Sequence, residues 1–130
     1  MIPHWLAVGF GGFLGAVLRH VLTGVVHRRF PAFLPAGTLA VNVIGCFVIG
    51  IAMTFFSGRG EHLSTWRFFL VTGILGGFTT YSAFGYETVQ LWHSGDARSA
   101  MWTIAGHLVL CFAAVECGRI IAHWIWPVAN

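Results

Sequence analysis

Charge is the scarcest commodity in this chain: lysine is absent, and only 8% of the 130 residues are charged. The acidic residues Glu61, Glu87, Asp96 and Glu116 stand far apart, which excludes a carboxylate cluster for metal binding or proton coupling. Cysteine is sparse too. Cys46, Cys111 and Cys117 lie in apolar segments without Cys-x-x-Cys spacing, so they read as small buried residues and neither as a disulfide framework nor as a zinc site. No nucleophile stands beside a base, and no phosphate-binding glycine loop opens an α/β unit; the expectation is a protein that is not an enzyme. No charge run or Ser/Pro linker marks a boundary, so residues 1–130 read as one domain, with no nucleic-acid partner expected.

What is present is apolar surface. Hydrophobic residues make up 57% of the chain and its mean hydropathy is +0.79, too high for a soluble domain of this size. The class is an all-α integral membrane protein. Approximate spans are 5–26, 37–56, 66–92 and 100–126, each long enough for a hydrocarbon core of about 30 Å. The first lacks a basic leader and runs on into further spans, unlike a cleavable signal peptide. Most of the tryptophans sit near span ends, as an aromatic belt in contact with lipid does. A multi-pass protein of the plasma membrane, the inner membrane of a bacterium, is therefore expected.

The third span is the least helix-like. Between residues 73 and 87 it carries Gly73, Gly76, Gly77 and Gly85 with the β-branched pair Thr79-Thr80, and each lowers helix propensity. The backbone is expected to open there, and open backbone at membrane depth survives only when buried in protein or lining a polar cavity. Topology signals are nearly balanced: Arg59, Arg67 and Arg119 face one side, and Arg19, Arg28, Arg29 and Arg98 the other. So small a bias predicts insertion in both orientations and an antiparallel homodimer.

Each remaining span has one polar or small-residue face. Gly11 and Gly15 form a G-x-x-x-G pair suited to close helix packing, with Arg19 about 10 Å inside the expected end of its span. A charge so placed needs water, a partner or a function, and snorkelling or drawing anions to a vestibule both answer that need. In the second span Thr38, Asn42 and Cys46 stack at i, i+4 and i+8; in the fourth, Thr103, His107 and Cys111 do the same. Asn42 can be glue between helices or a donor to something passing, and His107 reads first as a hydrogen-bonded packing residue. Glu116 and Arg119 are spaced to pair.

The inward groups are mainly donors: the Asn42 amide, the hydroxyls of Thr38, Thr79, Thr80, Tyr81 and Ser82, and guanidinium. Donors suit an anion, and the positive ring edges of Tyr81 and Phe84 add to them. A bare anion in hydrocarbon costs on the order of tens of kcal/mol, so a route must replace its hydration group by group.

Three stretches carry a resemblance to the small fluoride channels, the Fluc or CrcB family, over essentially the whole length: Gly11–Arg19, Gly37–Gly45, and Gly76–Phe84 with Glu87. The resemblance implies a passive fluoride channel that exports the cytoplasmic ion, built as an antiparallel dual-topology homodimer. Two pores and a central structural sodium (Na+) are implied with it. By position it implies that Asn42 donates to fluoride and that Tyr81 and Phe84 are the pore aromatics. Thr38, Thr80, Ser82, Glu87 and Cys111 would belong to the polar lining, and Arg19 matches the family's first-helix arginine. Carbonyls of Gly76 and Thr79 from both subunits would hold the sodium. The chain departs from the pattern at Tyr81, where phenylalanine is common, at Ala83, where threonine is, and at Cys111, where serine is. Two other classes compete. A small dual-topology multidrug exporter would want a carboxylate in the first span, where this chain has Arg19; a membrane assembly or haem subunit could use His20 and His107 as axial ligands.

Overall fold

The computed structural model describes residues 3–30, 35–57, 59–60 and 63–127. Helix α1 (His4–Arg29) begins directly after Pro3, whose fixed φ of −58° suits a helix entrance and whose missing N–H is no loss there. Helix α2 (Ala36–Phe56) follows Pro35 in the same way. The third span is composite: α3 (Ser64–Arg67) runs into a π-helical stretch (Phe68–Leu75) and then α4 (Gly76–Phe78), all with right-handed helical dihedrals at the joints. It resumes as α5 (Tyr81–His93). After Gly95, whose φ of +85° makes the turn glycine's, Asp96 caps α6 (Ala97–Ile125) by accepting from the Ser99 N–H at 3.0 Å. That bond to Ser99 holds the Asp96 carboxyl below its ordinary range.

Four helical segments are long and apolar enough to cross a membrane: His4–Arg29, Ala36–Phe56, Ser64–His93 and Ala97–Ile125. The four-span all-α expectation holds, and the observed ends lie within about three residues of the expected ones. One shift matters: α1 runs on to Arg29, which puts Arg19 about 15 Å from the helix end rather than about 10 Å.

The break falls within the expected stretch, at its threonine pair, and is smaller than the glycine content suggests. Gly73, Gly76, Gly77 and Gly85 all stay helical. Only Thr79 (φ −80°, ψ 158°) and Thr80 (φ −152°, ψ 114°) become extended. Glycines of α1 and of the stretch before the break serve contact instead. A Cβ on Gly11 would sit 2.9 Å from Gly73 Cα, one on Gly15 would sit 2.8 Å from the Phe78 nitrogen, and one on Gly77 would sit 3.0 Å from Gly12 Cα. Helix α1 therefore lies backbone against backbone on the π-helical stretch and α4, the arrangement that small residues permit where lipid offers no hydrophobic drive. Helices α2 and α6 cross likewise, Gly50 under the Arg119 nitrogen and Gly118 under Phe47.

Apolar bulk points outward. Trp5, Phe10, Phe13, Phe112 and Trp124 are each at least two-thirds exposed, as lipid-facing side chains are. The interior is made of small and polar groups, with Thr38, Asn42, Thr80, Thr103 and His107 buried beside Val41 and Ala100. At the fourth span's far end Glu116 and Arg119 pair as expected, at 2.8 Å from Oε2 to Nε.

A matched substitution pair tests this packing. Gly15→Ala should lower unfolding stability in detergent by about 1–3 kcal/mol, because backbone fills the space. Gly9→Ala, where nothing lies within 4 Å of the added methyl, should stay within about 0.5 kcal/mol of the parent.

Candidate functional site

The site is built around the gap in the third span. Leaving the helix at Thr79 and Thr80 strips backbone groups of their partners, and a buried orphan costs about 1–3 kcal/mol. Asn42, projecting from α2, answers with both ends of its amide. Its Nδ2 donates to the Thr80 carbonyl at 3.0 Å, and its Oδ1 accepts from the Thr80 N–H at 2.8 Å. Thr80 then starts α5 as its N-cap, its hydroxyl oxygen accepting from the Ala83 N–H at 3.2 Å and lying 3.3 Å from Ser82 Oγ. On the other side, the Thr79 hydroxyl donates to the Leu75 carbonyl at 3.0 Å, and Arg19 Nη1 reaches the Thr79 carbonyl at 3.4 Å. The glue and donor readings of Asn42 thus meet in one side chain, since an amide nitrogen carries a second hydrogen beyond the one given to Thr80.

Two cavities flank this junction. The first, about 370 Å³, is lined by Asn42, Cys46, Tyr81, Phe84, His107 and Cys111, among others. The second, about 820 Å³, is lined by Arg19, His20, Thr23, Thr38, Ser82 and Glu87, among others. Thr80 lines both. The residues expected to form one polar lining therefore divide: Asn42, Tyr81, Phe84 and Cys111 to one side of the break, and Arg19, Thr38, Ser82 and Glu87 to the other.

The chemistry of the two differs. In the first, the Tyr81 and Phe84 rings are 5.4 Å apart and tilted at 58°, while Phe84 lies 4.3 Å from the His107 ring. Tyr81 itself is 83% exposed, turned out from its own chain's core. His107 is buried and lies with Nδ1 2.9 Å from the Thr103 carbonyl, the packing role the spacing suggested, yet Nε2 has no partner among the described residues. In the second cavity the Thr38 hydroxyl donates to Glu87 Oε1 at 2.8 Å, and Glu87 Oε2 is buried without a partner among the described residues. An orphan carboxylate oxygen beside a guanidinium and hydroxyls makes this cavity polar at both signs.

Gly76 and Thr79 both border the first cavity, and Gly76 is exposed. Because the Thr80 N–H is diverted to Asn42, the Gly76 carbonyl loses its α-helical partner. Oxygen donors of this kind fit a hard cation such as sodium, with Thr79 sharing its oxygen with Arg19. Among the described residues no group of three or more His, Cys, Asp or Glu side chains is placed to hold a metal ion. His20 and His107 line different cavities, so they do not form the axial pair a haem needs.

Sequence reasoning left Cys46, His107, His20 and Thr23 outside the expected lining. The stacked rows Thr38-Asn42-Cys46 and Thr103-His107-Cys111 contained the signal for the first two. Nothing in α1 marked His20 or Thr23, whose place depends on how α1 is rotated against α5.

Asn42→Ala should destabilise the protein in detergent by about 1–3 kcal/mol for each Thr80 group left bare, read as a lower unfolding midpoint. Retention of the parent's midpoint would mean that the Thr80 backbone finds other partners.

This arrangement sits within a sequence that has clear relatives. The profile of CrcB-like proteins, described as Camphor Resistance (CrcB), matches residues 6–119. A protein of Opitutus terrae named fluoride-specific ion channel FluC is 43% identical over 91% of this chain and 91% of its own length. Proteins of that name from Campylobacter lari and Paracoccus denitrificans are 40% and 39% identical, over 93% and 94% of this chain and 98% and 96% of theirs. With a family match across most of its length and relatives at this identity, the chain belongs to the CrcB family.

Proposed function

We propose that this protein is a passive, fluoride-selective channel that lets the ion leave the cytoplasm; its relatives carry the name fluoride-specific ion channel. The observation that carries the reading is the junction at Asn42 and Thr80, where a donor amide and an opened backbone stand between two cavities whose mainly apolar walls each carry a few polar side chains. In this reading Arg19 draws anions into the larger cavity, where the hydroxyls of Thr38 and Ser82 begin to replace water. The second Asn42 N–H then takes the ion past the break, and the ring edges of Tyr81 and Phe84, with the thiol of Cys111, lead it on.

The physiological sense follows from acid chemistry. Neutral HF crosses a bilayer and ionises in the more alkaline cytoplasm, trapping the anion; an inside-negative potential then favours its exit by about 2.3 kcal/mol per 100 mV. The assembly belongs to the same proposal: an antiparallel dual-topology homodimer in membrane lipid, with two pores. The near-even split of arginines and the exposed Tyr81 and Gly76 support it, since each leaves the single chain looking incomplete. Carbonyls of Gly76 and Thr79 from both copies would hold a structural sodium, which would neutralise carbonyl dipoles at the dimer centre.

Purified protein in liposomes loaded with potassium fluoride should release fluoride to an external electrode once valinomycin is added. Asn42→Asp, which turns a donor into an acceptor, should abolish that release. A dimer that survives purification but passes no fluoride would remove the assignment.

A further inference from the structure

The first cavity holds two sulfurs that the fluoride reading does not need as a pair. Cys46 from α2 and Cys111 from α6 both line it, and both are half-buried and unbonded. The helices that carry them are pressed together one turn further on, where Gly50 leaves no room between α2 and the Val115–Arg119 backbone. Cys46 and Cys111 thus each stand one turn before this close crossing of α2 and α6.

A second group on the same wall has an unused lone pair. His107 lies one turn before Cys111 and is only 7% exposed. Its Nδ1 faces the Thr103 carbonyl at 2.9 Å, and a carbonyl only accepts, so the proton sits on Nδ1 and the lone pair on Nε2. That Nε2 is buried and has no partner among the described residues. Among the lining residues there is no carboxylate, because Glu87 belongs to the other cavity. Sulfur and imidazole nitrogen without carboxylate oxygen select soft cations over sodium, magnesium or calcium.

We propose that Cys46 and Cys111 form a site for a thiophilic d10 cation, of the silver(I), copper(I) or mercury(II) kind, and that such a cation plugs the first cavity. The inference rests on the channel reading for its consequence, the block, but not for the binding itself. Two thiols suffice, because these ions accept linear two-coordinate sulfur, spanning about twice a metal–sulfur bond of ~2.3 Å. This agrees with the finding that no three such side chains converge among the described residues. His107 Nε2 stands as the neighbour that favours a cation there. On binding, each thiol gives its proton to water as its sulfur–metal bond forms, and no electron changes hands. The bound ion then occupies the path beside Tyr81 and Phe84, and with silver(I) or copper(I) the two thiolates leave one net negative charge there, which repels an arriving fluoride.

The test uses silver nitrate in chloride-free buffer, with two readouts on detergent-purified and reconstituted full-length protein. Native mass spectrometry should find one silver per chain at the pair, absent from Cys46→Ser and from Cys111→Ser and kept in Cys117→Ser, which alters an exposed cysteine away from the cavity. Fluoride release from liposomes should be stopped by silver in the parent and in Cys117→Ser. Cys46→Ser and Cys111→Ser should need far more silver, beyond the roughly 10–100-fold that losing a supporting neighbour costs. Silver sensitivity equal to the parent's in Cys46→Ser and Cys111→Ser, or loss of block in Cys117→Ser alone, would overturn the site. So would full fluoride release in silver-treated parent protein with no silver retained at the pair. If the parent releases no fluoride even before silver is added, it is the channel reading that has failed, and the silver count still decides the site.

Discussion

Two hydrogen bonds from one side chain let the third span open its backbone inside a membrane: Asn42 Nδ2 to the Thr80 carbonyl, and the Thr80 N–H to Asn42 Oδ1. Hydrocarbon offers no water to replace a lost helical bond, so an interruption there persists only if the protein supplies the missing partners. An amide is the one neutral side-chain group that matches a peptide unit at both donor and acceptor. From that pairing the rest follows. The Thr80 hydroxyl is left to cap α5, the Gly76 carbonyl is separated from its helical partner, and Thr80 becomes the wall common to two cavities.

The pairing demands that α2 and the third span be held in fixed register, and glycine provides this. Where α1 meets the π-helical stretch and α4, and where α2 meets α6, backbones touch with no side chain between them. Such contacts lock rotation more strictly than a layer of leucines could, since a shift of one residue would drive a Cβ into a neighbouring carbonyl. Inside this frame the cavities keep their polar lining, while the aromatic bulk faces outward to lipid.

Much of the fold was legible because membrane spans declare themselves by length and hydropathy, and Pro3, Pro35 and Gly95 punctuate them where the structure does. The break was legible only as a neighbourhood. Low helix propensity pointed at residues 73–87, yet Gly73 and Gly77 within that stretch stay helical with α1 packed on them, and tertiary contact overrides propensity. Thr79 and Thr80 open instead, since their hydroxyls and Asn42 can rebuild what the helix loses. The site showed the same division. Stacked rows on α2 and α6 named Asn42, Cys111 and their neighbours, but no spacing reveals that Ser82 and Glu87 turn to one cavity while Tyr81 and Phe84 turn to the other. That depends on the angle at which α5 leaves the break.

The most direct measurement is deuterium exchange at the Thr80 amide, resolved by backbone-labelled NMR in detergent. This amide lies in extended backbone, where exchange is normally fast, so protection can come only from a specific acceptor. Slow exchange at Thr80 that becomes fast in Asn42→Ala, while amides within α6 stay protected, is the predicted result. Fast exchange at Thr80 in the parent protein would contradict the account, because the junction would then be held by something other than Asn42.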